Sequence, residues 1–301
     1  MIARTLLAIA LALVAADPAA VKETEQFRAK HEADYRRDYV TLAGLFSLTD
    51  GVNTVGSAAS NAIVLPKTVP PTIGRFIVSS ARVRFEPAAG APVTLKDQPI
   101  TSPIDLTSDE NGPADQLAVG GITLWVHMSG DRRTIRIRDV NGEPARTFAG
   151  FAWFPIESKY RVMARFIKDP APKQVQIPNQ LGDEETYTTE GIVEFALDGQ
   201  TITMRPMTTR PGRLYFIFRD GTSGKETYET ARFLYSDLKP DGTTILDFNQ
   251  AYNPPCSFNP YTTCPLPPKE NRLTARIPAG EKAYPHPPHI NSGDWGLGIR
   301  D

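Results

Sequence analysis

Apolar and polar positions in this 301-residue chain repeat with two different periods. Over 21–40, VKETEQFRAKHEADYRRDYV, the residues Val21, Phe27, Ala33 and Tyr35 fall roughly on one face and charges fill the rest. That pattern predicts one helix, packed as an N-terminal arm. From Leu42 the period shortens to two. LFSLTDGVNTVG places Asp50-Gly51 between two alternating runs, which predicts a hairpin. Further strands are predicted at Ile63–Leu65, Arg75–Val78, Arg82–Glu86, Val93–Leu95, Ile122–His127 and Thr134–Asp139, with a turn at Asn141-Gly142. Evenly spaced short strands of this kind build a sandwich or barrel.

After an aromatic-rich segment, Ala145–Tyr160, the strand pattern resumes. Strands are predicted at Tyr160–Ile167, Gln174–Ile177, Gly191–Leu197, Gln200–Pro206, Leu214–Arg219 and Thr243–Asp247. Asp198-Gly199 and Asp241-Gly242 are read as hairpin turns. Phe148, Phe151, Trp153, Phe154 and Tyr160 are read as core at the junction of two β-units, with a stacking platform as the alternative. The fold class is therefore mostly β, with an N-terminal β-sandwich, a C-terminal antiparallel β-unit and one N-terminal helix. The expected organisation is a signal peptide at 1–16, a helical arm at 17–41, the sandwich at 42–145, a C-terminal β domain at 146–285 and a tail at 286–301. In the tail, Trp295 is the residue expected to dock.

The first sixteen residues, MIARTLLAIALALVAA, carry Arg4 before an apolar run that ends in small residues. This is the layout of a secretory signal peptide, cleaved after Val14-Ala15-Ala16. The run is shorter than the roughly 20 residues that span a bilayer, so no stable membrane span is expected after cleavage. Export to a periplasmic or extracellular compartment follows as an expectation. Lys plus Arg number 33 and Asp plus Glu 34, without blocks of one sign, so nucleic acid is not an expected partner.

Both cysteines, Cys256 and Cys264, lie in a proline-rich stretch, and in an exported chain they are read as a disulfide. Two thiolates do not complete a zinc shell, and the nearest histidines, His286 and His289, lie in the tail; no metal site is predicted. No phosphate loop or dinucleotide fingerprint appears, and no cofactor is predicted.

Two polar stretches carry the candidate chemistry. The first runs from Asp220 through Thr222, Ser223, Glu226 and Tyr228 to Arg232. Its Gly and Ser/Thr content suits a loop that presents backbone N–H groups and hydroxyls to a ligand. The second is Asp247-Phe248-Asn249 leading to Asn253. Asp247 and Asn249 are two apart and share a face if the strand continues. Were Arg232 to approach them, the result would be a mixed-charge pocket for a small polar or carboxylate ligand. The other reading makes these residues structural, with Arg232 and Asp247 tying two strands together. His127, within Leu124-Trp125-Val126-His127-Met128, is read as a satisfied sheet residue.

Two resemblances accompany this reading. GVNTVGSAASNAIVLPKTVPPTIGRFIVSSARVRFEPAAGAPVTLKDQPI, with LAVGGITLWVH, resembles the forkhead-associated-type sandwich in the order of its strands and loops. That family grips phosphate with an Arg after the Gly, helped by a Ser and a His. Ser57 stands at the Arg position here, so the resemblance implies a sandwich without its phosphate site. GLFSL-x-x-G-x-N-x-x-G, FPI-x-x-x-Y, F-x-D-x-T-S-G-x-x-T-Y-x-x-x-RFL, DFN-x-AYNPPC-x-F-x-PY-x-TCPLPP-x-ENRL and AGEK-x-Y together resemble the bacterial domain-of-unknown-function family 1684 over nearly the whole mature chain. Ala231 departs from it, standing where a Gly is usual before the Arg. Membership implies no established activity.

The expected function is binding of a small polar molecule or a peptide in the C-terminal half. The alternatives are a hydrolase-type enzyme, with Asp247 or Glu226 as acid/base and Arg232 orienting an anionic group, or a purely structural envelope protein.

Overall fold

The computed structural model describes residues 17–80, 82–179 and 182–285. The expected signal peptide at 1–16 and the tail at 286–301 with Trp295 lie outside the described residues. Helix α1 spans Pro18–Tyr35 and continues as a turn of π-helix, Arg36–Val40. The Asp17 carboxylate caps it by accepting from the Ala19 N–H at 3.0 Å. Pro18 fits the first turn, where no N–H is needed.

The buried face of α1 is only partly the expected one, Tyr35 being buried and Phe27 half-buried. Thr24, His31 and Tyr35 are buried, whereas Ala33 is exposed and Val21 only half-buried. The helix docks on a polar surface, with the Thr24 hydroxyl donating to Asp247 and His31 facing Glu281. Its period is carried by a Thr and a His, which a count of apolar residues passes over.

The strands of the first unit, in chain order, are β1 (Leu42–Ser47), β2 (Gly51–Gly56), β3 (Ile63–Val64), β4 (Gly74–Ser79), β5 (Arg82–Pro87) and β6 (Thr94–Leu95). They continue with β7 (Gln98–Pro99), β8 (Ile104–Leu106), β9 (Leu117–Val119), β10 (Ile122–Ser129) and β11 (Arg132–Asp139). They form a six-stranded sheet, ordered β1-β11-β10-β9-β6-β7, and a five-stranded sheet, ordered β3-β2-β4-β5-β8. Val55, Phe76 and Phe85 from one sheet pack with Leu124, Ile135 and Ile137 from the other, so the two sheets enclose one core. The alternation read from the sequence is the physical cause, as in β4 and β5, which bury every second side chain.

Asp50-Gly51 does not make a hairpin. β1 pairs with β11, whereas β2 pairs with β4 and β3, so the chain crosses between sheets at this point. The Asn53 side chain fixes the crossing: it accepts from the Thr49 N–H at 3.0 Å and donates to the Thr49 carbonyl at 2.8 Å. Past β11, the Asn141-Gly142 turn leads into a short helix, α2 (Glu143–Thr147).

The second unit holds β12 (Arg161–Pro178), β13 (Glu184–Leu197), β14 (Gln200–Met204) and β15 (Met207–Arg210). β16 (Arg213–Phe218), β17 (Arg232–Asp237) and β18 (Thr243–Asp247) complete it. The sheets are β14-β13-β12-β18 and β15-β16-β17. Strands expected at Tyr160–Ile167 and Gln174–Ile177 are one continuous β12, with an irregularity in its pairing between Lys168 and Lys173. Asp198-Gly199 joins β13 to β14 as expected, both residues having positive φ, which the mirror-image hairpin turn requires. Asp241-Gly242 reverses the chain but joins strands of different sheets, so it is a turn and not a hairpin.

β16 is buried on both faces. Leu214, Phe216 and Phe218 join one apolar cluster with Phe195 and Leu246, while Tyr215 and Ile217 join another with Phe233 and Ala231. This explains the unbroken apolar run LYFIF, which a half-exposed strand would not have. Ala231 is fully buried and its methyl fills this second cluster.

The aromatic segment packs α1 onto the C-terminal loops. His31 contacts Phe151 and Trp153, Phe148 stacks on Tyr284, and Phe258 of the cysteine loop touches Phe148 and Phe151. Cys256 and Cys264 are disulfide-bonded and buried. Between them, the Asn259 amide donates to the carbonyls of Tyr39 and Leu42, each at 2.9 Å. The cysteine loop thereby braces the joint where the arm enters the sandwich. No helix among the described residues is long and apolar enough to cross a membrane.

Candidate binding site

The polar residues singled out in the sequence separate into three buried networks. In the first, Asp220 accepts from the Arg232 guanidinium at 2.5 Å and from the Ile277 N–H at 3.1 Å. Its other oxygen accepts from the Thr222 N–H at 2.8 Å. The Thr222 and Thr227 hydroxyls lie 2.9 Å apart. Arg232 is wholly buried, donates also to the carbonyls of Ile277 and Ala279, and lies over the Phe218 ring. Burial pulls its guanidinium below the usual range, and Asp220 opposes that pull.

The loop that was expected to present donors outward folds in on itself. The Ser223 hydroxyl accepts from the Asp220 N–H at 3.1 Å, and the Glu226 N–H donates to the Thr222 carbonyl at 2.9 Å. The Glu226 carboxylate pairs with Arg276. The Tyr228 hydroxyl lies 3.8 Å from the Cys256 sulfur.

The second network centres on Asp247. The strand ends there, and Asn249 sits in a short 3-10 turn whose N–H donates back to the Asp247 carboxylate at 3.1 Å. The Asn249 amide adds a second bond at 2.9 Å, Arg161 a third at 3.2 Å, and the Thr24 hydroxyl a fourth at 3.3 Å. Arg232 pairs with Asp220 instead of Asp247. The expected approach of Arg232 to Asp247, whether as a pocket or as a strand tie, is therefore corrected: Arg161 on the neighbouring strand takes that place.

The third network joins Asn253 to Glu281. The Asn253 N–H and side-chain amide each donate to the Glu281 carboxyl at 3.0 Å, and the amide also reaches the Lys282 carbonyl at 2.7 Å. His31 Nε2 lies 3.4 Å from the same carboxyl. Burial raises the Glu281 carboxyl above its ordinary range, against the pull of His31 and Asn253. Gly280 makes the insertion possible: it has φ +80°, and a Cβ there would stand 2.2 Å from the Ala251 carbonyl oxygen.

One cavity, of about 240 Å³, opens between α1 and the strands β12, β17 and β18. Glu23 and Phe27 wall it from the helix; Arg161 and Asp247 wall it from β12 and β18. Tyr235, Ser236 and Asp237 of β17, with Arg213 and Lys239, complete the rim and floor. Arg161 bridges Glu23 and Asp247, both at 3.2 Å, and Arg213 pairs with Asp237 at 2.8 Å. Ser236 is buried, and its hydroxyl has no hydrogen-bond partner among the described residues.

Of the residues expected to bind a ligand, only Asp247 reaches this cavity. The other lining residues were missed because no strand was expected over 232–237; the available signal was the alternation of RFLYSD, whose Tyr235 and Asp237 share the face opposite Leu234. His127 is bonded to Asp109 at 2.7 Å, in keeping with a satisfied sheet residue. No group of three or more His, Cys, Asp or Glu able to hold a metal occurs among the described residues.

Fold and cavity together define a two-unit, mostly antiparallel β protein with a small, polar, charge-lined cleft in its second unit. Residues 146–282, the second unit, match the model of a family described as "Protein of unknown function (DUF1684)". The Gly44–Gly56 motif, which carried part of the whole-chain resemblance, lies outside that match. The solution NMR structure of an uncharacterized protein of Haloarcula marismortui is similar at 29% identity and a TM-score of 0.38, covering 46% of this chain and 80% of that one. No curated protein matches the chain.

Proposed function

We propose that this is an exported protein whose second unit binds a small polar molecule in the cleft between α1 and β17. The observation that carries the reading is the cavity itself, about 240 Å³ between α1 and the strands, where Arg161, Arg213, Asp237 and Asp247 meet. The charged side chains around it are held in place by one another, so the site is largely formed before a ligand arrives. Export is supported by the apolar segment 5–16 and by the disulfide Cys256–Cys264, a bond that persists in oxidising compartments. In the sandwich, Ser57 stands where the forkhead-associated family has its phosphate-gripping Arg, so no phosphate site is proposed there.

Glu281 is the carboxyl raised by burial, and it is enclosed behind α1 instead of lining the cleft. The binding reading is preferred to the hydrolase reading because Asp247 is held by four hydrogen bonds and Glu226 pairs with Arg276 away from the cleft. Native mass spectrometry of the protein isolated from its own envelope tests the proposal. A native mass exceeding the denatured mass by a small molecule is expected. Equal masses, together with no ligand recovered from the denatured sample, would count against it.

A further inference from the structure

We infer that the molecule held in this cleft is a short stretch of extended peptide, gripped through its backbone between β17 and β18; this rests on the binding reading above. The two strands leave open edges toward each other. β17 is paired on one side by β16 and β18 on one side by β12, but β17 and β18 belong to different sheets. Along a strand, the N–H and C=O of one residue point to the same side, and successive residues alternate.

Bonds at the strand ends fix the phase. On β17 the Leu238 N–H donates to the Gly212 carbonyl on the β16 side at 2.8 Å, while Phe233 exchanges two bonds with Tyr252 on the other side. Tyr235 shares the phase of Phe233, so its N–H and C=O point away from β16. On β18 the Gly242 carbonyl accepts from the Phe166 N–H of β12 at 2.8 Å, while the Thr243 carbonyl accepts from the Lys239 N–H on the other side at 2.9 Å. Ile245 shares the phase of Thr243, so its N–H and C=O point away from β12. The Lys239–Thr243 bond and the bond from the Thr244 hydroxyl to the Asp237 carbonyl join the two strands at the turn. Farther along, the cavity opens between them, with Tyr235 and Ile245 on its walls. The backbone groups of these two residues have no hydrogen-bond partner among the described residues.

The charges around these edges are already engaged. Arg161 bridges Glu23 and Asp247, and Arg213 pairs with Asp237. Lys239, exposed at the mouth, is left to solvent. Gln250 also lines the cavity, and its side-chain amide makes no hydrogen bond among the described residues. The uncommitted groups are therefore neutral amide donors and acceptors: the backbone of Tyr235, the backbone of Ile245 and the Gln250 side chain. A peptide backbone carries donors and acceptors in the same alternation, so one extended segment can bond to both walls as an added strand. Each wall offers one free residue, so the segment is short, about two residues.

The test titrates the full chain calorimetrically with acetyl-Ala-Ala-amide and with the same peptide methylated on both alanine nitrogens, and follows the melting temperature with each. The unmethylated peptide is expected to bind and raise the melting temperature. The methylated one, lacking those N–H donors, should bind at least tenfold weaker. Gln250→Ala should weaken the unmethylated peptide by about three- to tenfold, the value of one hydrogen bond between neutral groups. Ile245→Pro removes an N–H that points away from β12, where a proline is tolerated, and should weaken binding at least tenfold. Equal affinity for the two peptides would overturn backbone recognition and leave the binding reading standing. Binding untouched by both substitutions would overturn the site. If neither peptide binds, the peptide assignment falls, and the native mass measurement decides the binding reading separately.

Discussion

His31 Nε2 lies 3.4 Å from the Glu281 carboxyl, and both side chains are buried. His31 is packed among Tyr35, Tyr252 and Phe151, with ring centroids at 4.0, 4.6 and 5.2 Å. This contact ties the N-terminal helix to the far end of the C-terminal unit. It also fixes one wall of the cleft, because Glu23 and Phe27 stand on the same helix.

The pair sets a pH dependence. Burial raises the folded-state pKa of Glu281 above its ordinary 4.5. A group whose folded pKa is raised contributes stability that is fully present below the unfolded value and lost as pH rises through the folded one. Glu281→Gln cannot titrate. The stability of the parent relative to that variant should therefore fall as pH is raised from about 4.5 upward. Urea denaturation of both proteins across pH 4 to 8 checks this; a gap that widens with pH would contradict it.

Asp220→Asn leaves Arg232 buried without its counter-charge. The expected loss is about 3–5 kcal/mol. Replacing both residues by apolar ones of similar volume, Asp220→Leu with Arg232→Met, should cost less than Asp220→Asn alone. Denaturant midpoints of the two variants decide it. Equal or greater damage in the double variant would show that the bonds to Ile277 and Ala279 matter more than the charge.

The disulfide closes a short loop. In the chain-entropy model, Cys256→Ser with Cys264→Ser should lower stability by about 2–3 kcal/mol. A much larger loss would mean that the loop's contacts fail with the bond.

Asn259→Ala removes the two donors that satisfy the Tyr39 and Leu42 carbonyls. The Tyr39 carbonyl keeps a bond from the Thr41 N–H, so the expected cost is that of two lost hydrogen bonds, about 0.5–1.5 kcal/mol each. Amide exchange should rise around the Asn259 loop and residues 39–44 before it rises in the sandwich core. Uniform acceleration throughout the chain would contradict a local brace.

The mostly β class and most strands were legible because each depends on local alternation, as in Thr134-Ile135-Arg136-Ile137. The Asp198-Gly199 turn was legible for the same reason, since two residues alone set its shape. The Asp50-Gly51 hairpin was not, because turn chemistry tells that the chain bends and not which sheet it joins. The face of α1 was hidden by its polar anchors, Thr24 and His31, whose partners lie more than two hundred residues away. Most of the candidate residues satisfy one another. What the sequence could not show is which polar group is left without a partner. Thr222 and Ser236 are both buried hydroxyls, and only the fold shows that the first is partnered and the second is not.

Native mass spectrometry of the full chain, compared with its denatured mass, tests the central claim most directly. The predicted result is a native mass that exceeds the denatured mass by one small molecule, an excess lost in a variant that fills the cleft, Ser236→Trp. Equal native and denatured masses would contradict a ligand site between α1 and β17.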